Sequence, residues 1–357
     1  MIFATLSSLQ GMRVIFYFLL TLQSPDWFCR NEHLPVAVTA RDLNRAEEFA
    51  AKFNIAKAYG SYEDLANDPD VEIAYVGVTA MEHLEVVKIM LNAGKNVLCE
   101  KPLGMSLKQV QEMIDLAKSK NVFFMEAIWS RTFPLYETFR IRLPSIGDVK
   151  QVYVTFGQGG NDGKECRLSR KLGGGTVKDW GVYCLQMCLL AFDGQRPNSV
   201  TATAIKINEN GVDIGLTAVL KFPNDGMAAF TTDLRVDLPC SAIVTGTKGT
   251  ITVSPLLLQR FTKLKVFNLQ IDGPFHCPTK MEVKIGQQSQ EFQYEIPQEA
   301  PFSYNYVNSG GLLYEANHVR QCLKENLKES PMVTLQDSLL IAEIQEAIME
   351  QIGVSYV

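Results

Sequence analysis

Two short stretches of the chain carry residue types at spacings that could do chemistry. The first is Cys99-Glu100-Lys101-Pro102, which ends a short apolar run from Asn96 to Cys99 that reads as a buried parallel strand. Ligands of open α/β sheets bind outside the carboxyl ends of such strands, so a lysine there faces a ligand. Pro102 fixes φ and bars an immediate helix, which holds that lysine in a defined turn. The same letters also fit an ordinary Glu-Lys pair in a surface loop. The second stretch is Gly173-Gly174-Gly175 followed by Asp179-Trp180-Gly181-Val182-Tyr183. Asp179 starts a helix and Tyr183 lies four residues on, so the two share a face. Taken alone, an N-cap aspartate and a half-buried tyrosine is the simpler account.

The two stretches together describe a proton-transfer site. A tyrosine ionises near pH 10 and is a poor base at neutral pH. An ammonium beside it stabilises the phenolate and gives an acceptor for the proton of an alcohol being oxidised. The hydride must then leave to a nicotinamide, because no side chain accepts it. Metal chemistry does not fit. His33, His83, His276 and His318 are scattered, and the close pair Cys184 and Cys188 has the spacing of two core residues on an apolar helix.

The composition narrows the class further. The 34 basic and 39 acidic residues leave a net charge of −5 with no long basic run, which argues against nucleic acid as a partner. Eight cysteines among 357 residues are too sparse for a disulfide scaffold and suit a reducing, cytoplasmic setting. A chain of this length favours two domains at ~100–200 residues each.

From Pro35 onward, strands and helices alternate. Val36–Ala40, Ile73–Val78, Asn96–Cys99 and Val122–Met125 read as buried strands. Between them run a helix capped by Asp42 with Ala46, Phe49, Ala50 and Phe53 on one face, a short helix opened by Ser61, a helix from about Met81, and one capped by Ser106 and Gln109. This alternation predicts a doubly wound, Rossmann-like parallel sheet over 36–148. After Asp148 one helix, Trp180–Leu190, interrupts seven strand-like runs, including one at Leu264–Asn268, and two helices close the chain. Residues 149–357 are therefore expected to form an α+β domain with a mainly antiparallel sheet. Leu216, Ala218 and Leu220 lie on one side of a strand, and covering them requires a helix layer or a second subunit.

Residues 1–35 form an atypical segment with one glycine, Gly11. Val14–Leu22, VIFYFLLTL, is too short to span a membrane, where ~20 residues are needed. Arg13 before it gives residues 1–24 some likeness to a signal peptide, but no small-x-small cleavage site follows. The strand, Gly-rich turn and helix that open a dinucleotide-binding sheet read as missing or replaced here.

Glu100-Lys101-Pro102, with Asp179 and Tyr183 about 80 residues later, resembles the glucose–fructose oxidoreductase/inositol dehydrogenase family. Ala40-Arg41-Asp42-Leu43, Met125-Glu126-Ala127-Ile128-Trp129, Gly246-Thr247-Lys248-Gly249 and Tyr314-Glu315-Ala316-Asn317-His318 extend the likeness from about Pro35 to the C-terminus. They point to members that oxidise trans-dihydrodiols and aldose sugars such as D-xylose with NADP. The resemblance implies that Lys101 and Tyr183 are catalytic and that Asp179 seats the alcohol. It places Glu100, Tyr75 and His83 at the coenzyme site and Trp129 and Phe156 near the substrate, and it implies a homodimer. Arg41 matches an arginine associated with NADP, where a guanidinium can pair with the 2′-phosphate. A related sugar or cyclitol dehydrogenase, or a catalytically silent binding protein lacking the Gly-rich turn, are the alternatives.

Overall fold

The computed structural model describes residues 4–6, 33–160, 165–206, 211–254, 273–297 and 307–356. Two sheets organise them. The first has six parallel strands: β1 (Ala4–Leu6), β2 (Ala37–Ala40), β3 (Lys57–Tyr59), β4 (Ile73–Val76), β5 (Asn96–Glu100) and β6 (Phe124–Ala127), in the order β3-β2-β1-β4-β5-β6. The reversal of strand order between β1 and β4 creates the crevice in which open α/β sheets take ligands. The central position that the sequence left open is filled by Ala4–Leu6, which pairs with β2 along Ala4–Val38 to Leu6–Ala40 and with β4 at Tyr75. VIFYFLLTL lies outside the described residues, as does the strand expected at Leu264–Asn268.

The connecting helices follow local sequence signals. Helix α1 (Leu43–Phe53) is capped by the Asp42 side chain and buries Ala46, Phe49, Ala50 and Phe53, the four positions its periodicity selects. Ser61 caps α2 (Tyr62–Asn67). Helix α3 (His83–Asn92) follows a short 3-10 turn at Ala80–Glu82, and Gly94 turns the chain at a φ of 75°. Ser106 caps α4 (Leu107–Lys120) by accepting from the Gln109 amide. The Gln109 side chain turns instead to the Met105 N–H, so half of the expected capping box forms. Helix α5 (Pro134–Arg142), which the sequence reading left without structure, leads out of this domain.

The second sheet has eight strands: β7 (Val149–Gly157), β8 (Ser199–Lys206), β9 (Asp213–Phe222), β10 (Gly226–Asp233), β11 (Ala242–Gly246), β12 (Gly249–Val253), β13 (Lys280–Ile285) and β14 (Gln288–Gln293). Their order is β14-β13-β12-β11-β7-β10-β9-β8, and every pairing is antiparallel except β7 with β10. Between β7 and β8 lie α6 (Glu165–Leu168), α7 (Thr176–Asp179) and α8 (Gly181–Ala191), and the chain closes with α9 (Leu312–Lys324) and α10 (Leu335–Ile352). Thr334 and Asp337 form the full capping box at the start of α10.

Helices α7, α8 and α10 pack on one face of this sheet. Leu216, Ala218 and Leu220 are at most 4% exposed beneath them, so the chain's own helix layer covers these residues and no second subunit is needed there. The other face stays open, with Tyr153 46% and Ile243 38% exposed on directly paired strands. One apolar cluster runs from α1 through α5 and α8 into the second sheet and joins the two sheets, and a second lies between the first sheet and helices α2, α3 and α4. No helix among the described residues is long and apolar enough to cross a membrane.

Candidate active site

A cleft opens at the carboxyl ends of β4 and β5. One wall is Gly77 to Ala80 with Glu100, Lys101 and Pro102; the opposite wall is Cys166, Arg167, Leu172 to Gly174, and Asp179. Two segments distant in sequence thus meet where the strand-end rule places a ligand.

The two walls are joined by a charge cluster. The Lys101 ammonium donates to Asp179 Oδ1 at 2.6 Å and to the Asp179 carbonyl at 2.7 Å, and Arg167 Nε donates to Oδ2 at 3.0 Å. Burial opposes ionisation of Asp179, but the Lys101 and Arg167 cations beside it prevail and hold the carboxyl well below the usual range. The N-cap account of Asp179 therefore does not hold. It ends the four-residue α7 instead of starting α8, and its oxygens face cations rather than helix amides.

Tyr183 stands on the first turn of α8, 8% exposed, and its hydroxyl accepts the indole N–H of Trp129 at 2.9 Å. Lys101 Nζ lies 5.0 Å from the centre of its ring, close to the ring and bonded to Asp179. Burial first, then the Glu100 and Asp179 charges, push the phenol well above its ordinary value, against the Trp129 bond. In this arrangement burial and the neighbouring carboxylates favour the protonated phenol over the phenolate that the sequence suggests, while Lys101 is bonded to Asp179.

The remaining sequence candidates separate into those that line the cleft and those that hold it. Tyr75 is fully buried on β4 and donates to Glu100 Oε1, while the Lys101 amide donates to Oε2 at 3.3 Å. Tyr75 therefore orients Glu100 from behind. His83 is buried with Nδ1 2.9 Å from the Pro102 carbonyl and Nε2 3.2 Å from that of Val78, so its ring sits between the two strand-end loops. Burial pushes its imidazole down, against those two carbonyls. Arg41 follows β2, with a side chain 63% exposed, and pairs with Glu82 at 2.6 Å. Asp42 beside it caps α1, its Oδ1 accepting from the Asn44 amide at 3.0 Å.

Phe156 stacks between Trp180 at 4.8 Å and the His276 ring at 4.4 Å, and His276 lies 5.3 Å from the Tyr183 ring. With Trp129 these rings form an aromatic wall beside the tyrosine hydroxyl. Arg167, Trp180 and His276 were not found by sequence reasoning. Arg167 precedes the glycine loop without a motif of its own, and His276 comes from a loop 93 positions beyond Tyr183, so only the folded chain sets them here. Behind Asp179, the fully buried Lys178 donates to the Gly104 carbonyl at 3.1 Å and to Gln345 at 3.2 Å. Burial pushes its amine down to about 8, against the attraction of Glu126 and Glu346.

A parallel sheet with reversed strand order, and a lysine, an aspartate and a tyrosine at its ligand crevice, define a nucleotide-binding oxidoreductase. The family model described as oxidoreductase family, NAD-binding Rossmann fold, matches residues 21–128, and that of the GFO/IDH/MocA C-terminal domain matches 140–252. The chain belongs to the GFO/IDH/MocA oxidoreductase family. It is 40% identical to the trans-1,2-dihydrobenzene-1,2-diol dehydrogenase of Sus scrofa over 330 residues, which is 92% of this chain and 91% of that one. In fold it matches a levoglucosan dehydrogenase in complex with NADH and levoglucosan, with a TM-score of 0.78 at 16% identity over 99% of this chain and 96% of that one. A 3-ketoreductase from Actinomadura kijaniata in complex with NADP and TDP-benzene matches with a TM-score of 0.76 at 18% identity over 98% of both chains.

His276 gives this site a pH signature. Burial, and then the Lys101 charge, push its imidazole down to about 3. Between its unfolded value near 6.5 and that folded value, the unfolded chain binds the proton and the folded chain refuses it. Stability from this residue is therefore lost as pH falls through that window, by up to about 1.4 kcal/mol per pH unit. Urea titrations from pH 6.5 to 4 should show a shallower acid slope for His276→Phe than for the natural chain; equal slopes would exclude a neutral buried imidazole.

Proposed function

We propose that this chain is an NADP-dependent dehydrogenase that oxidises vicinal diols of the trans-dihydrobenzenediol type and aldose sugars such as D-xylose. The observation that carries the proposal is that Lys101 and Asp179 line one cleft at the ends of β4 and β5, with the Tyr183 ring 5.0 Å from the lysine ammonium beside it. The substantial identity to trans-1,2-dihydrobenzene-1,2-diol dehydrogenases supports the diol class. The aromatic wall of Trp129, Phe156 and His276 suits a flat ring or the apolar face of a sugar. A silent binding protein is the weaker reading, since such a protein has no use for a buried carboxylate shared by two cations.

In this reading the alcohol lies against the Tyr183 hydroxyl and the Lys101 ammonium, with Asp179 fixing the ammonium's place. When bound, the cofactor supplies the hydride acceptor. Tyr183 holds its proton in the arrangement described, so it donates in the direction of carbonyl reduction. Diol oxidation needs the tyrosine–lysine unit to take the alcohol's proton, which favours alkaline pH. Lys101→Met and Tyr183→Phe should each lower kcat by ~10²–10⁴-fold, with little added by combining them. The kcat/KM for oxidation should rise with pH above neutrality. A tenfold loss or less at Tyr183, or a flat profile, would sink the assignment.

Arg41 is the residue proposed to read the 2′-phosphate of NADP. The residues fit this group: the guanidinium is exposed at the end of β2, and the neighbouring carboxylate is occupied by the helix cap. Glu82 competes for the same cation. Arg41→Ala should therefore weaken NADP⁺ binding ~10–150-fold while leaving NAD⁺ nearly unchanged. Glu82→Gln should strengthen NADP⁺ binding. Titrations read by tryptophan fluorescence measure both, and equal losses for the two cofactors would remove Arg41 from this role.

The open face of the second sheet is the proposed site of a homodimer. Ala229, Tyr153 and Ile243 form one row across three paired strands, and a two-fold axis over that row would set like surface against like. Light scattering at micromolar concentration should give a particle of twice the 39.9 kDa chain mass. Tyr153→Lys should shift it towards monomer, and a natural chain that scatters as a monomer would overturn the assembly.

A further inference from the structure

The glycine loop that forms one wall of the cleft is pressed from behind as well as from the front. Gly173 and Gly174 line the cleft. On the far side, a Cβ added to Gly175, whose φ is 110°, would come within 2.6 Å of both Asp213 Oδ1 and the Tyr356 hydroxyl. Only glycine allows both groups this close.

The two groups grip the loop in different ways. Asp213, fully buried on β9, accepts from the Thr176 hydroxyl at 2.5 Å and from the Val177 amide at 2.8 Å. It thereby satisfies donors at the start of α7, the helix that ends in Asp179. Tyr356 donates its hydroxyl to the Gly174 carbonyl. The loop has bonds of its own, from Gly174 N to Ser169 O and from Gly175 N to Arg167 O, each at 2.9 Å. They tie it to the segment that carries Arg167, whose side chain reaches Asp179.

Tyr356 is the second-to-last residue of the sequence. It reaches the loop because α10 ends at Gly353 with a φ of 65°, and Val354 is buried with its amide on the Met349 carbonyl. The end of the chain is thus folded back across 182 positions onto the loop.

We infer that Tyr356 is a positioning residue, a strap that sets the glycine loop and, through it, the placement of Arg167 and Asp179 against Lys101. This rests on the reading of that cluster as the site of reaction. The strap acts on ligand binding more than on the chemical step, because it fixes a wall of the cleft without touching the reacting atoms.

The test is Tyr356→Phe, which keeps the ring and removes the one hydroxyl, alongside Asp213→Asn. Hydrogen exchange in the full chain should show the amides of Gly174 and Gly175 opening roughly two- to tenfold faster in both variants, the range expected for one buried hydrogen bond. The KM for a trans-dihydrodiol should rise by a similar factor in Tyr356→Phe, with kcat changed less than twofold. Unaltered exchange at the loop would overturn the inference, and so would a loosened loop with an unchanged KM. If the natural chain turns over no diol or sugar with either nicotinamide cofactor, the functional reading fails, and the exchange measurement alone then decides the strap.

Discussion

The site depends on a carboxylate that cannot stand alone. Asp179 is mostly withdrawn from solvent, with its side chain 20% exposed, where an unpaired charge is expensive. Lys101 from the first sheet and Arg167 from the loops of the second each take one of its oxygens. Removing either cation would leave one oxygen of this mostly enclosed carboxylate without its partner, so the three residues hold one another in place. Because Lys101 follows β5 of the first sheet and Asp179 ends a helix packed on the second, the same interaction that shapes the cleft also links one half of the molecule to the other.

Much of the surrounding architecture keeps this triad in register. His83 ties the β4 and β5 loops by their carbonyls, and Tyr75 holds Glu100 beside the lysine. Lys178 spans from the Gly104 carbonyl to α10, behind Asp179. None of these groups needs to touch a substrate. Each limits the motion of a side chain or loop at the cleft, at some expense in stability.

The protonated state of Tyr183 follows from the same electrostatics. Two carboxylates, Glu100 and Asp179, lie within range of a buried phenol, and the cation that could offset them is bonded to one of the two. A ligand that draws Lys101 away from Asp179, or that places a partial negative charge at the tyrosine hydroxyl, would alter this balance.

The sequence by itself determined the helix caps at Asp42, Ser61, Ser106 and Thr334, the buried face of α1 and the alternation that makes a parallel sheet, and it singled out Lys101, Asp179 and Tyr183, which the fold sets side by side. These are local: a capping side chain answers the nearest amides, and apolar periodicity reports the face a helix buries. What only the tertiary structure decided is non-local. It set Ala4–Leu6 at the centre of the first sheet, where a three-residue strand has too little pattern to be read. It covered Leu216, Ala218 and Leu220 with the chain's own helices and left Tyr153 and Ile243 open. It brought Arg167 to Asp179, stacked Trp180 and His276 on Phe156, and turned the lysine towards Asp179. Side chains far apart along the chain meet through packing, and which partner a buried charge takes depends on every other charge enclosed with it.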